Sequence, residues 1–399
     1  MRAAGADDVV QGVRPLEVHE PGSLAEAADL LTRLAGARQA VCFQGGGTQQ
    51  GLGAPPRRLD ALVRTGRLAR VLDHAAADQV VSAEAGVTLA ALQQTLAKER
   101  QRLSLDPPFA ARSTLGGILA CNTFGPLRAR HGAIRDLVLG VTLVRADGVV
   151  ARGGGKVVKN VAGFDLPKLL CGSLGTLGLV AQLTLRVHPT PETSSVQAVR
   201  GLPSAGALLE LLARVRAAQL EPAALLAART AAGWDLTVKF EGFEAGVKQQ
   251  AARFAALGKV ESVASGNGAF DPHLATRESS TLRFKLTFKP TALPQVERLL
   301  GPVLALLPGA GLSVYPSVGA GFLCAAGTTD PDGLTRALAA AREELALVAR
   351  LVLEATPLAL QPLLDPWGPA PSSLALHRAL KDRFDPEGRL APGRFVGGV

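Results

Sequence analysis

The chain has 399 residues, of which 47% are hydrophobic and 19% are charged, which excludes an extended disordered protein and is typical of a globular one. This length exceeds that of one typical domain, so we expect two domains with separate cores. Lys and Arg outnumber Asp and Glu by 43 to 34, but with one Tyr and two Trp they form no basic-aromatic stripe, which argues against nucleic-acid binding.

The first predicted elements are a helix, a strand and a glycine-rich loop. Ser23 and Glu26 have the spacing of a capping box, which opens an amphipathic helix to about Leu34. The apolar run 40–44 then predicts a short buried strand. This strand leads directly into three consecutive glycines, so the loop is expected at a strand end.

Further strands follow the loop in the first half of the chain. The run 80–84 predicts a strand, and the helix expected after it has its leucines on one face. Asp147 and Gly148 separate two β-branched runs, which predicts a β-hairpin over 137–152 with positive φ angles at both turn residues. A last strand is predicted over 179–188.

Residues beyond Pro191 have a different texture, because the glycine clusters stop and strands alternate with helices. Strands are predicted at 195–199, 234–242, 282–288, 311–315 and 322–326. Helices are predicted to end near Ala217, Leu257, Leu307 and Ala346. The order of elements before Thr281 recurs after it, so we expect an α+β domain on an antiparallel sheet, built from two similar halves.

Four glycine-rich segments stand out in the first half of the chain. They are 44–50, 111–118, 158–165 and 172–180. Glycine at this density suits a backbone that closely approaches a large phosphate-bearing cofactor and donates N–H groups to it. Taken one at a time, however, each segment is better explained by a set of tight turns.

Two common phosphate-binding motifs do not fit these segments. The loop at 45–48 lacks the Lys-Ser/Thr ending of a Walker loop, and Val157 stands where a P-loop at 153–156 would need a magnesium-binding hydroxyl. The glycines of 172–180 are spaced three apart, which differs from the Gly-x-Gly-x-x-Gly of a dinucleotide-binding Rossmann unit. Nucleoside triphosphate hydrolysis and a Rossmann cofactor site are therefore poor interpretations.

The order of the motifs, taken together, resembles one known family. Gly-Gly-Gly-Thr at 45–48 is followed by Asp-Pro-Pro-Phe at 106–109, Ser-Thr-Leu-Gly-Gly-Ile-Leu-Ala-Cys-Asn at 113–122, Lys-Asn-Val-Ala-Gly-Phe-Asp at 159–165 and the 172–180 segment. This order resembles the FAD-binding domain of the vanillyl-alcohol oxidase and p-cresol methylhydroxylase superfamily, and within it the FAD-binding E subunits of bacterial glycolate oxidases. The Asp-Pro and Pro-Gly-Arg motifs at 385–394 agree with it.

The resemblance implies a fold and a division of the chain. The fold is α+β, with a two-subdomain p-cresol methylhydroxylase-type FAD-binding domain and a smaller α+β cap domain on an antiparallel sheet. We assign residues 1–190 to the FAD-binding domain and 191–365 to the cap, on the substrate side. Residues 366–399 are rich in turn formers and are expected to return to the FAD-binding domain.

The resemblance also implies which residues contact FAD. The 44–49 loop would wrap the diphosphate, and 172–180 would lie along the adenosine. Pro107 and 113–122 would line the flavin and the ribityl chain. The implied contacts are Gln44, Gly45, Gly46, Gly47, Thr48, Gln49, Pro107, Ser113, Thr114, Gly116, Gly117, Asn122, Lys159, Asn160, Gly172, Gly175, Gly178 and Val180. Some superfamily members attach the flavin covalently through a histidine where this chain has Thr48, so non-covalent FAD is expected.

Catalytic residues are harder to assign. Oxidation of a 2-hydroxy acid needs a cation for the carboxylate and a base or metal that takes the hydroxyl proton. Related hydroxy-acid dehydrogenases would carry a histidine-rich segment late in the chain, whereas the six histidines here are isolated, and we predict no metal site.

The second domain offers four polar candidates, of which Arg283 and Tyr315 are the ones considered for catalysis. The candidates are Arg277, Arg283, Lys285 and Tyr315. Arg283 and Lys285 alternate with apolar residues along a predicted strand, which favours the solvated face of a half-buried sheet over a substrate clamp.

The cysteines and the N-terminus bear on cofactors and compartment. The four cysteines are Cys42, Cys121, Cys171 and Cys324. They match no metal-ligand or redox-pair spacing, so neither an iron–sulfur cluster nor a disulfide framework is predicted. The N-terminus lacks the layout of a signal peptide, so we expect a cytoplasmic protein. The excess of basic residues leaves an acidic partner or peripheral attachment to the inner face of a membrane open.

These observations and the resemblance imply an oxidoreductase: the FAD-binding subunit of a glycolate oxidase-type complex in glyoxylate metabolism. The implied partners are a D-type flavoprotein subunit, which oxidises a small 2-hydroxy acid, and an iron–sulfur subunit, which receives the electrons. Two alternatives stay open. One is a stand-alone FAD-dependent dehydrogenase of a hydroxy acid or polyol, and the other is a flavoprotein whose FAD is purely structural.

Overall fold

The computed structural model describes residues 1–156, 163–263, 270 and 274–399. These residues form two compact units. The first contains 1–124, 133–190 and 370–399, and the second contains 125–132 and 191–369. The sequence-based division had placed 125–132 in the first domain, but Leu127 packs against Ala223 and Ala224, which ties this stretch to the second unit.

The strands predicted in the first half of the chain are present. The strands of the first unit are β1 (Arg2–Ala3), β2 (Glu17–His19), β3 (Val41–Gln44), β4 (Ala61–Arg64), β5 (Val71–Ala75), β6 (Val80–Glu84), β7 (Gln101–Arg102), β8 (Val138–Val144), β9 (Val150–Gly154), β10 (Leu179–Arg186) and β11 (His188–Pro189). The helices in this part of the chain are α1 (Leu24–Gly36), α2 (Leu89–Ala97), α3 (Leu115–Cys121), α4 (Arg128–His131), α5 (Ile134–Leu137) and α6 (Leu166–Leu170). Of these, α4 lies in the stretch that packs with the second unit.

Two sheets form the body of the first unit. One has the strand order β1-β2-β4-β3, with β2 and β3 both parallel to β4. The other is antiparallel with the order β5-β6-β10-β8-β9. Leu31 of α1 packs with Val41 of β3 in one apolar cluster, and Leu92 of α2 packs with Leu119 of α3 in another. Buried elements therefore hold the glycine-rich loops at their ends.

The predicted start of α1 is confirmed. Ser23 is the N-cap, and its hydroxyl accepts a hydrogen bond from the Glu26 N–H at 3.1 Å. The Glu26 carboxylate accepts from the Gly22 N–H at 2.8 Å rather than from Ser23. The reciprocal contact of the capping box is thus displaced by one residue.

The predicted hairpin is also present, as β8 and β9, but its turn differs from the expectation. Gly148 has φ +85°, whereas Asp147 is outside the left-handed region, so the positive φ predicted for Asp147 is wrong. Asp147 instead accepts a hydrogen bond from the Val149 N–H on its Oδ1 at 3.1 Å. Gly148 is also required sterically, because a Cβ there would lie 2.0 Å from the Thr32 hydroxyl of α1.

The second unit is built on one large sheet. Its strands are β12 (Thr193–Leu202), β13 (Ala224–Thr230), β14 (Gly233–Gly242), β15 (Glu261–Val263), β16 (Leu282–Phe288), β17 (Gly311–Tyr315), β18 (Ala320–Ala325) and β19 (Ala349–Ala355). Its further helices are α7 (Ala205–Ala217), α8 (Glu244–Ala255), α9 (Leu274–Ser279), α10 (Leu293–Ala305) and α11 (Pro331–Leu345).

The predicted repetition of two halves is confirmed by the strand order. The sheet is antiparallel and runs β15-β12-β14-β13-β17-β18-β16-β19. Each half has the chain order β-α-β-β-α-β and the spatial order fourth, first, third, second, which is a ferredoxin-like plan. The two halves join through the pairing of β13 with β17.

Three strands of this sheet were not predicted from the sequence, namely β13, β15 and β19. The residues of β13 from Ala224 to Ala228 are all buried, so the strand is covered on both faces of the sheet. Alanine has high helix propensity, and its pattern therefore does not indicate a strand. Tertiary packing overrides local preference at this strand.

The C-terminal residues belong to the first unit. Helix α12 (Leu374–Phe384) is followed by an irregular segment in which Leu390 pairs in parallel with Val41 of β3. The Val41 N–H donates to the Arg389 carbonyl at 2.8 Å, and the Ala391 N–H donates to the Val41 carbonyl at 2.7 Å. Within the described residues, no helix has the length and apolar character needed to cross a bilayer.

Candidate cofactor-binding cleft

A cleft lies in the first unit, where three of the glycine-rich segments, 44–50, 111–118 and 172–180, meet. It is lined by Cys42, Phe43, Gln44, Gly45, Gly46, Gly47, Thr48, Gln49, Gln50, Thr65, Ala85, Ser113, Thr114, Gly116, Gly117, Ile118, Ala120, Cys121, Thr123, Ser173, Leu174, Gly175, Gly178, Leu179, Val180, Ala391 and Arg394. A concave site with convergent polar groups is typical of cofactor sites.

The 44–50 loop leaves β3 and packs closely against the 112–114 segment. A Cβ on Gly45 would lie 2.0 Å from the Thr114 hydroxyl, and one on Gly46 would lie 1.8 Å from the Arg112 carbonyl oxygen. Gly47 has φ +69°, a conformation that favours glycine. The first two glycines are thus required by contact between two protein segments, a reason that differs from the phosphate approach expected from the sequence.

The polar groups of this loop are open to a ligand. Among the described residues, no protein acceptor takes a hydrogen bond from the N–H groups of Gly45, Gly46, Gly47, Thr48 or Gln49. The Gln49 side chain is only 8% exposed, yet neither its amide oxygen nor its nitrogen has a partner within the described chain. Leaving a buried polar group unsatisfied costs about 1–3 kcal/mol. The loop therefore fits a ligand that supplies both acceptors and donors, such as FAD.

The 113–117 segment is fixed mainly by protein contacts. The Ser113 hydroxyl donates to the Pro108 carbonyl at 2.9 Å and lies 3.2 Å from the Thr48 hydroxyl, which is left to donate to it. Thr114 caps α3 by accepting from the Gly117 N–H at 3.3 Å. The Gly116 N–H donates to the carbonyl of Ala85. These hydroxyls and N–H groups therefore shape the cleft wall by joining it to the neighbouring loops.

The 172–180 segment contributes its second and third glycines to the cleft. Gly175 has φ +74°, and a Cβ there would lie 3.0 Å from the Phe43 ring. A Cβ on Gly178 would lie 2.8 Å from the Val144 carbonyl oxygen. Both glycines thus let the segment pack against strands β3 and β8, with the backbone forming the cleft surface.

The predicted contacts differ in where the structure places them. Those that line the cleft are Gln44, Gly45, Gly46, Gly47, Thr48, Gln49, Ser113, Thr114, Gly116, Gly117, Gly175, Gly178 and Val180. Pro107, Asn122 and Gly172 do not line it. Asn122 has φ +47° and ends α3, a position that asparagine tolerates well. Lys159 and Asn160 lie outside the described residues, and contact of each residue with FAD stays a prediction.

The sequence analysis missed one charged residue of the cleft. Arg394 comes from the C-terminal segment, and its side chain lines the cleft although it is only 4% exposed. Its sequence signal was the Pro-Gly-Arg motif, which had been counted towards the family resemblance but not assigned to the site. Cys42, at the end of the cleft, is buried, and burial raises the pKa of its thiol to about 11, so it is protonated at neutral pH.

Arg277, Arg283 and Tyr315 are buried and Lys285 is half-buried, so the predicted solvated face is wrong for Arg283. Glu354 lies between two arginines: its Oε1 is 3.2 Å from Arg277 Nη2, and its Oε2 is 3.4 Å from Arg283 Nε. The Arg277 guanidinium also stacks on the Phe322 ring at 3.2 Å from the centroid. Tyr315 is buried beside the same ring. Ion pairing with Glu354 thus explains why a charged residue, Arg283, is buried in this sheet.

The charge state of Glu354 follows from these neighbours. Burial alone would raise the pKa of its carboxyl, but attraction by Arg277, Arg283 and Lys285 outweighs burial and holds the pKa below its usual value. The carboxylate is therefore ionised at neutral pH. A catalytic role for Arg283 or Tyr315 stays a prediction.

No group of three or more metal-binding side chains occurs among the residues that the structure describes. Of the isolated histidines, His74 Nε2 is 2.9 Å from the Gln101 side-chain oxygen, and His19 Nε2 is 2.9 Å from Glu17. Burial, followed by the charges of Arg186 and Arg102, lowers the pKa of His188. None of the four cysteines forms a disulfide.

Part of the chain is similar in sequence to known proteins. Residues 15–154 match the family described as "FAD binding domain". The chain is 34% identical over 155 residues to the glycolate oxidase subunit GlcE of Escherichia coli K12, covering 39% of this chain and 44% of the relative. It is 36% identical over 160 residues to D-lactate dehydrogenase of Archaeoglobus fulgidus, covering 40% of this chain and 35% of the relative.

Two further comparisons complete these findings. The glycolate oxidase subunit GlcD of Bacillus subtilis is 30% identical over 179 residues, which cover 45% of this chain and 38% of the relative. The chain thus spans less than half the length of each of these relatives. A solved structure of alkyldihydroxyacetonephosphate synthase matches 95% of this chain and 77% of its own with a TM-score of 0.69 and 15% identity. This last similarity shows the α+β fold alone.

Proposed function

We propose that the chain is the FAD-binding subunit of a glycolate oxidase-type complex that oxidises a small 2-hydroxy acid. The match of residues 15–154 to the FAD binding domain family supports the cofactor. The observation that carries this proposal is the cleft, whose buried Gln49 amide and open loop N–H groups fit FAD. The relatives named as glycolate oxidase subunits and D-lactate dehydrogenase support the substrate class.

FAD, when bound, supplies a group that accepts a hydride and releases electrons one or two at a time. The chain's own residues bind and orient it. The N–H groups of residues 45–49 would donate to the diphosphate, and the Gln49 amide, which has no protein partner in the described chain, would meet a polar group of FAD. The Ser113 and Thr48 hydroxyls hold the facing walls together. Apolar side chains such as Leu179 exclude water from the cleft.

The proposed partners are a D-type flavoprotein subunit and an iron–sulfur subunit. The similarity of the chain to both a GlcE and a GlcD subunit supports an assembly of related flavoproteins. In this proposal the partner oxidises the hydroxy acid, and FAD held by this chain would relay the electrons from the partner to the iron–sulfur subunit. We place the complex in the cytoplasm, attached at the inner face of the membrane through basic surface residues.

A second candidate function is a stand-alone hydroxy-acid dehydrogenase. The similarity to D-lactate dehydrogenase of Archaeoglobus fulgidus favours it, because that relative is named as a dehydrogenase and not as a subunit. Dye-linked turnover of glycolate or D-lactate by the isolated chain, abolished in Arg283→Met, would support this candidate over the complex.

The experiment that tests the proposal is a pull-down of the tagged chain from native extract, with flavin and iron measured on the same sample. The complex predicts flavin in excess of one per tagged chain, together with iron, and reduction of the flavin when glycolate or D-lactate is added. A chain that brings down neither iron nor a second flavoprotein would contradict the complex. Flavin that stays oxidised during turnover would indicate a structural FAD instead.

A further inference from the structure

Part of the cleft wall comes from a segment that lies far beyond the matched FAD binding domain, which ends at residue 154. We call residues 381–394 the C-terminal clamp. Ala391 and Arg394 of the clamp line the cleft. The clamp also runs along the edge of β3, the strand that leads into the 44–50 loop. It therefore reaches both the cleft and the support of its main loop.

Arg394 fixes the end of the 44–50 loop. Its Nη2 donates to the carbonyl oxygens of Gln50 at 2.9 Å and Leu52 at 2.8 Å, and its own carbonyl accepts from the Ala54 N–H at 3.0 Å. These bonds fix the carbonyl oxygens at the end of the loop on the Arg394 guanidinium. The preceding N–H groups, which have no protein acceptor in the described chain, are left to the cleft.

Lys381 joins the clamp to the other glycine segment. Its Nζ donates to the Thr176 carbonyl at 2.9 Å, to the Leu390 carbonyl at 2.6 Å and to the Asp385 carboxylate at 2.7 Å. Thr176 lies between Gly175 and Gly178, which line the cleft. The buried Lys381 ammonium thus connects the clamp to the 172–180 segment. Because Arg394 connects the same clamp to the 44–50 loop, both glycine-rich segments are bonded to one short stretch of chain.

The charge of Arg394 distinguishes it from every other described residue of the cleft lining, because the rest are apolar or neutral. A diphosphate carries negative charge into a site where few water molecules screen it, so attraction by a buried cation is strong there. Arginine stays protonated at all physiological pH values. The residue thus combines a fixed position with a permanent charge.

We propose that Arg394, at the end of the C-terminal clamp, is a positioning residue that holds the 44–50 loop in its binding conformation and attracts the FAD diphosphate. This inference rests on FAD binding in the cleft and is independent of the substrate and of the partners. Arg389 offers a matched control within the clamp. It is equally buried and donates to two backbone carbonyls, those of Gln39 and Ala146, but it does not line the cleft.

The test is a titration of the apo-protein with FAD, followed by quenching of flavin fluorescence, for wild type, Arg394→Met and Arg389→Met. Both variants are expected to lower the Tm of the apo-protein. Only Arg394→Met is expected to raise the Kd for FAD, by about 30-fold or more, because it removes a buried charge next to the ligand. Arg389→Met should stay within about twofold of wild type, as a site without contact to the cleft.

Salt and a conservative variant separate charge from structure. The Kd of wild type should increase between about 20 mM and about 300 mM NaCl, and that of Arg394→Met should increase much less. Arg394→Lys should keep the salt dependence and recover most of the affinity, and it serves as the test if Arg394→Met does not fold. Equal Kd changes in the two Met variants, or unchanged affinity in Arg394→Met, would overturn the inference. Failure of wild type to bind FAD would instead refute the cofactor assignment.

Discussion

The cleft of the first unit and the buried charge cluster of the second unit handle polar groups in opposite ways. In the cleft, the Gln49 amide and the loop N–H groups have no acceptor or donor among the described residues, although Gln49 is buried. In the cluster, Glu354 lies between Arg277 and Arg283, and the protein itself supplies the opposite charge. One region is completed by a ligand, and the other is completed by its own side chains.

This difference separates a binding site from a structural one. A buried polar atom without a partner lowers stability, so it persists where a ligand satisfies it. A buried ion pair contributes little net stability, yet removing one partner is very destabilising. Substitutions in the cleft should therefore change FAD affinity, whereas substitutions in the cluster should change the free energy of unfolding. The predictions below test this separation.

The largest expected effect is that of Gly46→Val. Its Cβ would lie 1.8 Å from the Arg112 carbonyl oxygen, so the loop must move away from the 112–114 segment. The loop N–H groups then lose their position, and we expect the purified variant to contain no bound FAD. Absorbance of the flavin at its visible band, relative to protein, measures this. Gly36→Val is the control, since a Cβ at Gly36 meets no atom within 4 Å. Stoichiometric FAD in Gly46→Val would show that the loop is only a turn.

The next effect is that of Glu354→Gln on stability. The substitution leaves Arg277 and Arg283 buried without their carboxylate, which should cost about 3–5 kcal/mol in the free energy of unfolding. Denaturant unfolding of the apo-protein measures it, and FAD stoichiometry should not change. Glu244→Gln removes half of an exposed pair with Lys248 and should cost less than about 0.5 kcal/mol. A loss of FAD without a loss of stability in Glu354→Gln would contradict the structural role.

The same cluster predicts a direction for pH dependence. The pKa of Glu354 is lower in the folded chain than its usual value, because the attraction of the arginines outweighs burial. The stability that this carboxylate contributes is therefore fully present above the usual carboxyl range and is lost as pH falls through the lowered pKa. The Tm of Glu354→Gln should thus decrease less than that of wild type when the buffer is made acidic. An equal decrease in the Tm of wild type and Glu354→Gln would show that other carboxylates cause the acid sensitivity.

The smallest expected effect concerns Gln49→Leu. Removing an unsatisfied buried amide should raise the stability of the apo-protein by about 1 kcal/mol and weaken FAD binding by about tenfold. Gln93→Leu is the matched control, because the Gln93 amide makes two hydrogen bonds with the Leu103 backbone, at 2.7 and 3.0 Å. That variant should lose stability and keep its affinity for FAD. If both variants change stability and FAD affinity in the same way, the Gln49 amide does not contact bound FAD.

Much of the fold was predictable because local signals agree with the packing. The strands at 282–288 and 311–315 were predicted with the bounds that β16 and β17 have, and in β16 apolar residues alternate with polar ones. The repeat of the second unit was visible in the order of elements. The alanine-rich β13 was missed, because burial on both faces, which no local pattern reports, decides its conformation.

The cleft was predicted from the order of its glycines, but the contact that requires glycine at each position was not. Gly46 faces the Arg112 carbonyl, a contact between segments 66 residues apart in the chain, which spacing alone does not reveal. Arg394 was missed for the same reason, because the loop carbonyls it meets lie more than 300 residues away. Arg283 was assigned to a solvated face because alternation indicates two faces of a strand and does not tell which charges are paired.

The most direct test of the central claim is a flavin titration of the full chain prepared without cofactor. The open polar groups of the cleft predict saturation at one FAD per chain, and the presence of Thr48 predicts that all of the flavin is released on denaturation. A chain that takes up no FAD, or one whose affinity for FAD is the same in wild type and Gly46→Val, would contradict the assignment of the cleft.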